Sequence, residues 1–282
     1  MQILKEKQSL KNQIQALKRQ GLSIGFVPTM GALHQGHISL IEKALASCDK
    51  VVVSIFVNPT QFDNPEDLKK YPRTLEEDVE RIGKLGEDVI IFSPAADEIY
   101  GKEILSEEFS FDGLENEMEG KFRAGHFNGV GTVVKKLFEM VEPDKAYFGE
   151  KDYQQLQIIK KLVEKQDLNI EIIGCPIDRE VSGLARSSRN ERLSESQRQS
   201  ASVIYQILLQ VKEDFGTKSA TELTHWVTER FKEEADLDLE YFEIANADTL
   251  KTVQNRIEGE KYRAFIAAYS GDIRLIDNIA LN

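Results

Sequence analysis

Pro28-Thr29-Met30-Gly31-Ala32-Leu33-His34-Gln35-Gly36-His37 lies between an apolar run, Ile24-Gly25-Phe26-Val27, and a helix-periodic stretch, Ile38 to Ala46. The run reads as a strand ending at Pro28, and a helix opens near Gln35. A strand–turn–helix of this kind aims unpaired backbone N–H groups and the positive end of the helix dipole at one spot, which suits phosphate. Two of the four histidines in the chain fall in the turn. Imidazoles at His34 and His37 add hydrogen bonds to oxyanions and, when protonated, charge where a transition state becomes more negative. The plain alternative is two surface histidines on a loop. The glycines at 31 and 36 and the strand–turn–helix setting favour chemistry.

Outward from this turn, β-rich runs at Ser23–Val27, Val51–Val57, Asp88–Phe92, Ala146–Phe148 and Ile170–Ile173 alternate with helical patterns at 38–47, 75–85, 129–141 and 153–165. That alternation predicts a parallel, Rossmann-like sheet with crossover helices. After about residue 177 the pattern changes. Two long helices, Glu195–Glu213 and Thr221–Glu234, precede runs at Leu239–Ala245, Tyr262–Tyr269 and Ile273–Ile276, the last two flanking the hairpin signal Ser270-Gly271-Asp272. The expectation is an α/β domain over 1–177 and a smaller α+β domain over 178–282 with an antiparallel sheet.

A chain of 282 residues, 41% hydrophobic, buries a sizeable core in one large or two ordinary domains. With 48 acidic against 36 basic residues its net charge of -12 argues against a general nucleic-acid or anionic-membrane surface, so any basic site is local. Cys48 and Cys175 sit in apolar surroundings without a CxxC or Cys/His cluster, which reads as buried reduced thiols. Met1 to Gln20 is charged and helix-periodic through Ile3, Leu10, Ile14 and Leu17. It has no signal-peptide core or spanning run, and a cytoplasmic protein is expected.

Other segments carry chemistry. Gly149-Glu150-Lys151-Asp152 follows a strand, where open α/β sheets bind ligands; Lys151 suits phosphate, Asp152 accepts from ribose hydroxyls, and Gln155 lies one turn on. Gly183-Leu184-Ala185-Arg186-Ser187-Ser188-Arg189-Asn190 sets two hydroxyls between two guanidinium groups, the densest anion trap in an acidic chain. It also leads into a helix capped by Ser194 with Gln197. Asn58 and Gln61 leave a strand through an Asn-Pro turn, their amides offering donor and acceptor together. Glu119 to Gly129 is a glycine-spaced basic loop, either an active-site cover or an ordinary connection. Thr74-Leu75-Glu76-Glu77 reads as a capping box, with magnesium binding by Glu77 or Asp78 as the alternative.

In this order and spacing, Pro28–His37, Asn58–Phe62, Tyr71–Thr74, Gly125–Val134, Gly149–Gln155 and Gly183–Asn190 closely resemble the pantothenate synthetase (pantoate–β-alanine ligase) family. The first and last segments also look like the HIGH and KMSKS signatures of the wider class I aminoacyl-tRNA synthetase and nucleotidylyltransferase superfamily. The resemblance implies activation of pantoate by ATP to a pantoyl adenylate with loss of pyrophosphate, then displacement of AMP by β-alanine. It implies His37, His34, Lys151 and Arg189 as catalytic groups. ATP would be bound by Met30, Gly31, Ala32, Leu33, His34, Gln35, Gly36 and His37, by Gly149, Glu150, Lys151 and Asp152, and by Asp178, Arg186, Ser187, Ser188 and Arg189. Pantoate would lie on Gln61 and Gln155, with β-alanine also near Gln61. Mg2+ would arrive with ATP, and a homodimer through the first domain is implied, with the second domain helping to close the active site. Asp178, where the family usually has an aliphatic residue, and Arg186, where it has Met or Leu, depart from the pattern. An arginine at 186 could grip the β- and γ-phosphates or point to solvent. Rival readings are a nucleotidylyltransferase that stops after moving a nucleotide, and a catalytically silent nucleotide-binding relative.

Overall fold

The computed structural model describes residues 1–62 and 65–282, and these divide into two compact units. The first comprises Met1–Glu150 and Gln155–Pro176; the second comprises Lys151–Gln154 and Ile177–Asn282. The division therefore falls between Pro176 and Ile177, and it also assigns the short Lys151–Gln154 segment to the second unit.

The first unit is built on six strands: β1 (Gln2–Leu4), β2 (Ile24–Thr29), β3 (Lys50–Ile55), β4 (Val89–Phe92), β5 (Lys145–Gly149) and β6 (Glu171–Cys175). Their order is β1-β4-β3-β2-β5-β6, and every pairing is parallel. β3 is buried from Val51 through Ile55, as expected of a strand covered on both faces. Between β2 and β5 the order reverses direction, and an open α/β sheet has its ligand crevice at the carboxyl ends of such strands. The 28–37 turn follows one of these two strands, and Gly149 ends the other.

β1 has no counterpart in the periodicity reading. Its three residues pair with Gln2 opposite Ile90, at the edge of the sheet. Ile3 is exposed, so it is not part of the helix stripe, which consists of Leu10, Ile14 and Leu17 on the helix Lys7–Arg19. The expected Thr74 capping box does not form. Thr74 makes no side-chain cap; its hydroxyl donates to Asp78 Oδ1, four residues on, at 3.4 Å. Both cysteines are free and buried, and burial pushes the Cys175 thiol up.

The second unit holds an antiparallel sheet of β7 (Asp238–Asn246), β8 (Tyr262–Ser270) and β9 (Ile273–Ala280). Ser270 pairs with Ile273, leaving Gly271-Asp272 as a two-residue turn, and Gly271 takes the left-handed φ of +60° that such turns need. Ile204, Leu208 and Val211 of one helix and Leu223, Val227 and Phe231 of another cover Ile244, Ala264, Ile266 and Leu275. The single helix expected over 195–213 is two, Glu195–Ala201 and Val203–Asp214. They meet at Ser202, whose hydroxyl donates to Gln199 O at 2.7 Å. The Ser194–Gln197 capping box forms, with Gln197 N donating to Ser194 Oγ and Ser194 N to Gln197 Oε1.

Candidate active site

The turn after β2 turns left-handed twice, at Gly31 (φ +83°) and Ala32 (φ +49°). A Cβ at Gly31 would lie 3.2 Å from both Asp78 Oδ2 and Ile55 Cγ2, so glycine fits on two counts. The turn directs the N–H groups of Ala32 and Leu33 at the buried Asp78 carboxylate, at 3.0 and 2.7 Å. One helical turn on, Arg81 donates to Leu33 O. The expectation of unpaired N–H groups offered to phosphate is thus corrected: Gly31 N donates to Thr29 Oγ1, the His34 and Gly36 N–H groups donate to imidazole nitrogens, and Ala32 and Leu33 are likewise engaged. Their donors are taken by an internal carboxylate, because the left-handed backbone folds them back toward the helix Leu75–Gly83. Asp78, whose two oxygens are engaged in this way, holds the turn. Among the described residues no three His, Cys, Asp or Glu side chains are grouped to hold a metal ion.

The two histidines cap the helix Gln35–Leu45 reciprocally. Gly36 N donates to His34 Nδ1 at 3.1 Å, and His34 N donates to His37 Nδ1 at 3.3 Å. A backbone N–H only donates, so each Nδ1 is an acceptor and each neutral ring carries its proton on Nε2. The ring centroids are 4.0 Å apart. The turn therefore presents two fixed imidazole donors at the carboxyl end of β2.

Gln61 joins this group. Its Nε2 donates to Met30 Sδ at 2.9 Å and its Oε1 accepts from Asn58 Nδ2 at 3.1 Å. Asn58 is buried; its Nδ2 also donates to Gly129 O, and its Oδ1 accepts from Tyr100 OH. Burial raises the Tyr100 pKa, which keeps the phenol a donor. The main chain of Gln61 is gripped from the 119–129 segment. His126 Nδ1 lies 2.8 Å and Arg123 Nη2 3.3 Å from Gln61 O. The carbonyl accepts only, so His126 carries its proton on Nδ1. Gly129 permits this approach, since a Cβ there would fall 2.2 Å from Thr60 O. Arg123, His126 and Asp78 are positioning residues for which the sequence reading had no such role. A cavity of about 290 Å³ lies beside His126, bordered also by Gln61, Phe62, Glu107 and Asn128. Gln155, on the first turn of the helix Tyr153–Lys165, is half-buried, and its amide has no hydrogen-bond partner among the described residues. Gly149 ends β5 and Glu150 follows it, both in the first unit.

The remaining candidates, Lys151, Asp152, Asp178, Arg186, Ser187, Ser188 and Arg189, belong to the second unit. Asp152 is exposed, and Lys151 is half-buried with no carboxylate in salt-bridge range among the described residues. Ser187 caps the short helix Ser188–Arg192, accepting from Arg189 N at 3.3 Å. The two departures noted at 178 and 186 meet each other. Arg186 Nε lies 2.8 Å from Asp178 Oδ2, and Arg186 N donates to Asp178 O at 3.0 Å. Nε and Oδ2 are both buried, and at this close distance they do not meet the angular geometry of a hydrogen bond, so charge attraction holds them. The Arg186 side chain is 32% exposed, and the anion beside its Nε is internal.

A parallel sheet with a switch point, and two helix-capping imidazoles at the carboxyl end of a strand beside it, give an α/β unit of the ligand-binding kind. The chain matches the family described as pantoate-beta-alanine ligase over residues 2–280, and it belongs to that family. It is 63% identical to a pantothenate synthetase of Christiangramia forsetii, with 100% of each chain covered. It is 55% identical to that of Flavobacterium psychrophilum, with 99% of each covered. Among solved structures, pantothenate synthetase from Thermus thermophilus superposes with a TM-score of 0.91 at 38% identity, covering 100% of this chain and 99% of that one. Pantoate-beta-alanine ligase from Francisella tularensis, complexed with beta-gamma ATP and beta-alanine, gives 0.82 at 41% identity, covering 100% and 98%. The protein is thus an AMP-forming acid–amine ligase of pantothenate biosynthesis, joining pantoate to β-alanine through a pantoyl adenylate at the expense of ATP.

Proposed function

We propose that the two imidazoles of the 30–37 turn carry the adenylation step. The observation behind this reading is that backbone donors fix both Nδ1 atoms as acceptors, which sets Nε2–H of His34 and His37 as preorganised donors. Attack of the pantoate carboxylate on the α-phosphorus builds charge on the equatorial and leaving oxygens. His37 stabilises the departing pyrophosphate, with His34 beside it. Lys151, Ser187, Ser188 and Arg189 neutralise the phosphates, and Asp152 takes the ribose hydroxyls. Met30, Gly31, Gln35, Gly36, Gly149 and Glu150 border the nucleotide, with Ala32 and Leu33 contributing shape, and Asp178 contributes through its backbone. Gln61 and Gln155 hold pantoate, and Gln61 also borders β-alanine. The amide of Gln155, without a hydrogen-bond partner among the described residues, supports that assignment.

Mg2+ enters as the metal–ATP complex, held by phosphates and water. A homodimer through the first unit accords with the exposure of Ile104, Leu105 and Phe122 there. The same proposal puts the reaction in the cytoplasm. No helix among the described residues is long and apolar enough to cross a membrane.

With pantoate and no β-alanine, the enzyme is expected to exchange labelled pyrophosphate into ATP, because adenylation precedes the amine and no covalent nucleophile is used. Exchange that needs β-alanine would overturn the two-step order.

The Asp178–Arg186 pair gives a second test. Arg186→Met alone strands a carboxylate at the nucleotide loop and is expected to raise the KM for ATP several-fold. Asp178→Val with Arg186→Met removes both charges and is expected to return the KM to within about twofold of the parent. A double variant as impaired as the single one would show that Arg186 grips phosphate.

A further inference from the structure

β9 reaches both segments of the second unit to which phosphate roles are assigned above. Asn278 Nδ2 donates to Lys151 O at 2.9 Å, and Asn278 Oδ1 accepts from Arg263, whose guanidinium lies 4.0 Å over the Tyr153 ring. The preceding residue, Asp277, holds Arg179 with both oxygens, at 2.6 and 2.9 Å. That guanidinium in turn donates to Gly183 O at 3.0 Å and stacks 3.7 Å from the centre of the Tyr205 ring. Gly183, with φ +92°, opens the loop that carries Arg186 to Arg189, and a Cβ on it would fall 2.5 Å from Tyr205 Cδ1. The two halves are themselves joined, since Asn278 N donates to Asp277 Oδ1 at 2.7 Å. Asp277 and Asn278 are 5% and 2% exposed, so this polar chain runs through the interior of the unit rather than over its surface.

We propose that Asp277 and Asn278 are positioning residues for adenylation, holding Lys151 and the 183–189 loop in common register for the nucleotide phosphates; this rests on the roles assigned to those two segments. A lysine side chain carries its charge on four rotatable bonds, so the place its ammonium reaches is set by where its backbone is fixed. An ion pair buried this deeply contributes little net stability, whereas misplacement of a catalytic group by about 1 Å costs on the order of a hundredfold in rate. Arg179, Gly183 and Tyr205 do for the serine–arginine loop what Asn278 does for Lys151. Neither Asp277 nor Asn278 needs to touch substrate.

Asn278→Asp keeps an acceptor for Arg263 and removes the donor to Lys151. In a single turnover with pantoate and Mg–ATP it is expected to slow pyrophosphate release roughly tenfold or more, with the KM for ATP moved less than about threefold. In the Lys151→Ala background the same substitution is expected to cost nothing further, because its effect passes through Lys151. Additive losses would overturn the inference while leaving the role of Lys151 intact. A Lys151→Ala enzyme at the parental rate would instead overturn the role given to Lys151. If Asn278→Asp melts below the assay temperature, Asn278→Ser, which no longer reaches the carbonyl and adds no charge, replaces it in the same cycle. For the other half, Asp277→Asn and Arg189→Ala are expected to be less than additive, and full additivity would overturn that link.

Discussion

Replacing His37 with alanine is expected to lower kcat on the order of a hundredfold or more while leaving the KM for pantoate within about threefold, the pattern of a group that acts mainly in the transition state. The geometry gives His37 two separable tasks. Its Nδ1 accepts from His34 N and closes the helix start, while Nε2–H is the donor for chemistry. Loss of the cap costs about 1 kcal/mol of stability, so Ala alone mixes the two effects. Asparagine places an amide oxygen near the Nδ1 position and glutamine places an amide nitrogen near Nε2. His37→Asn is therefore expected to melt like the parent and turn over like the alanine variant, and His37→Gln to recover part of the rate. Steady-state kinetics with melting curves on all three variants check this. An asparagine variant within about threefold of the parental kcat would leave His37 a capping residue only.

What the sequence made legible follows the reach of its patterns. Buried parallel strands are continuous apolar runs, so β2 to β6 could be read to within a few residues, and the Gly271-Asp272 hairpin carried its own turn chemistry. β1 could not be read this way. Three residues at a sheet edge with one buried side chain produce no period, and Ile3 happened to continue the spacing of the helix that follows. The helix break at Ser202 was hidden for a similar reason, since serine is compatible with either a continuing helix or a hydroxyl bonded back to a carbonyl.

At the site, residue types that announce chemistry were visible because they were dense: two histidines in one turn, two serines between arginines. Their supports were not. Arg123 and His126 act on a main-chain carbonyl some sixty residues earlier in sequence, a contact no local pattern encodes. The Asp178–Arg186 pair was visible only as two separate anomalies. Each charge explains the other once the chain folds back on itself between them, with Arg179 bridged to Ala185.

Asp78 is the support whose loss is expected to do most damage. Leu75, Asp78 and Ile82 share one face of their helix, and an acidic residue on an apolar stripe was the available sign that it points inward. At 1% exposure its carboxylate accepts from two successive N–H groups of a doubly left-handed turn. An asparagine there can satisfy only one of them, and its own amide nitrogen then faces the other as donor against donor. Asp78→Asn is expected to lose roughly 2–4 kcal/mol of stability, the scale of a charge-assisted pair of hydrogen bonds broken in the interior. Because the turn leads directly into the His34 cap, kcat/KM is expected to fall on the order of a hundredfold even below the melting transition. A magnesium ligand would behave differently. Its loss would leave the melting temperature of the free enzyme unchanged and be relieved by excess Mg2+, so an Asp78→Asn enzyme of parental stability, rescued by the metal, would overturn the structural role.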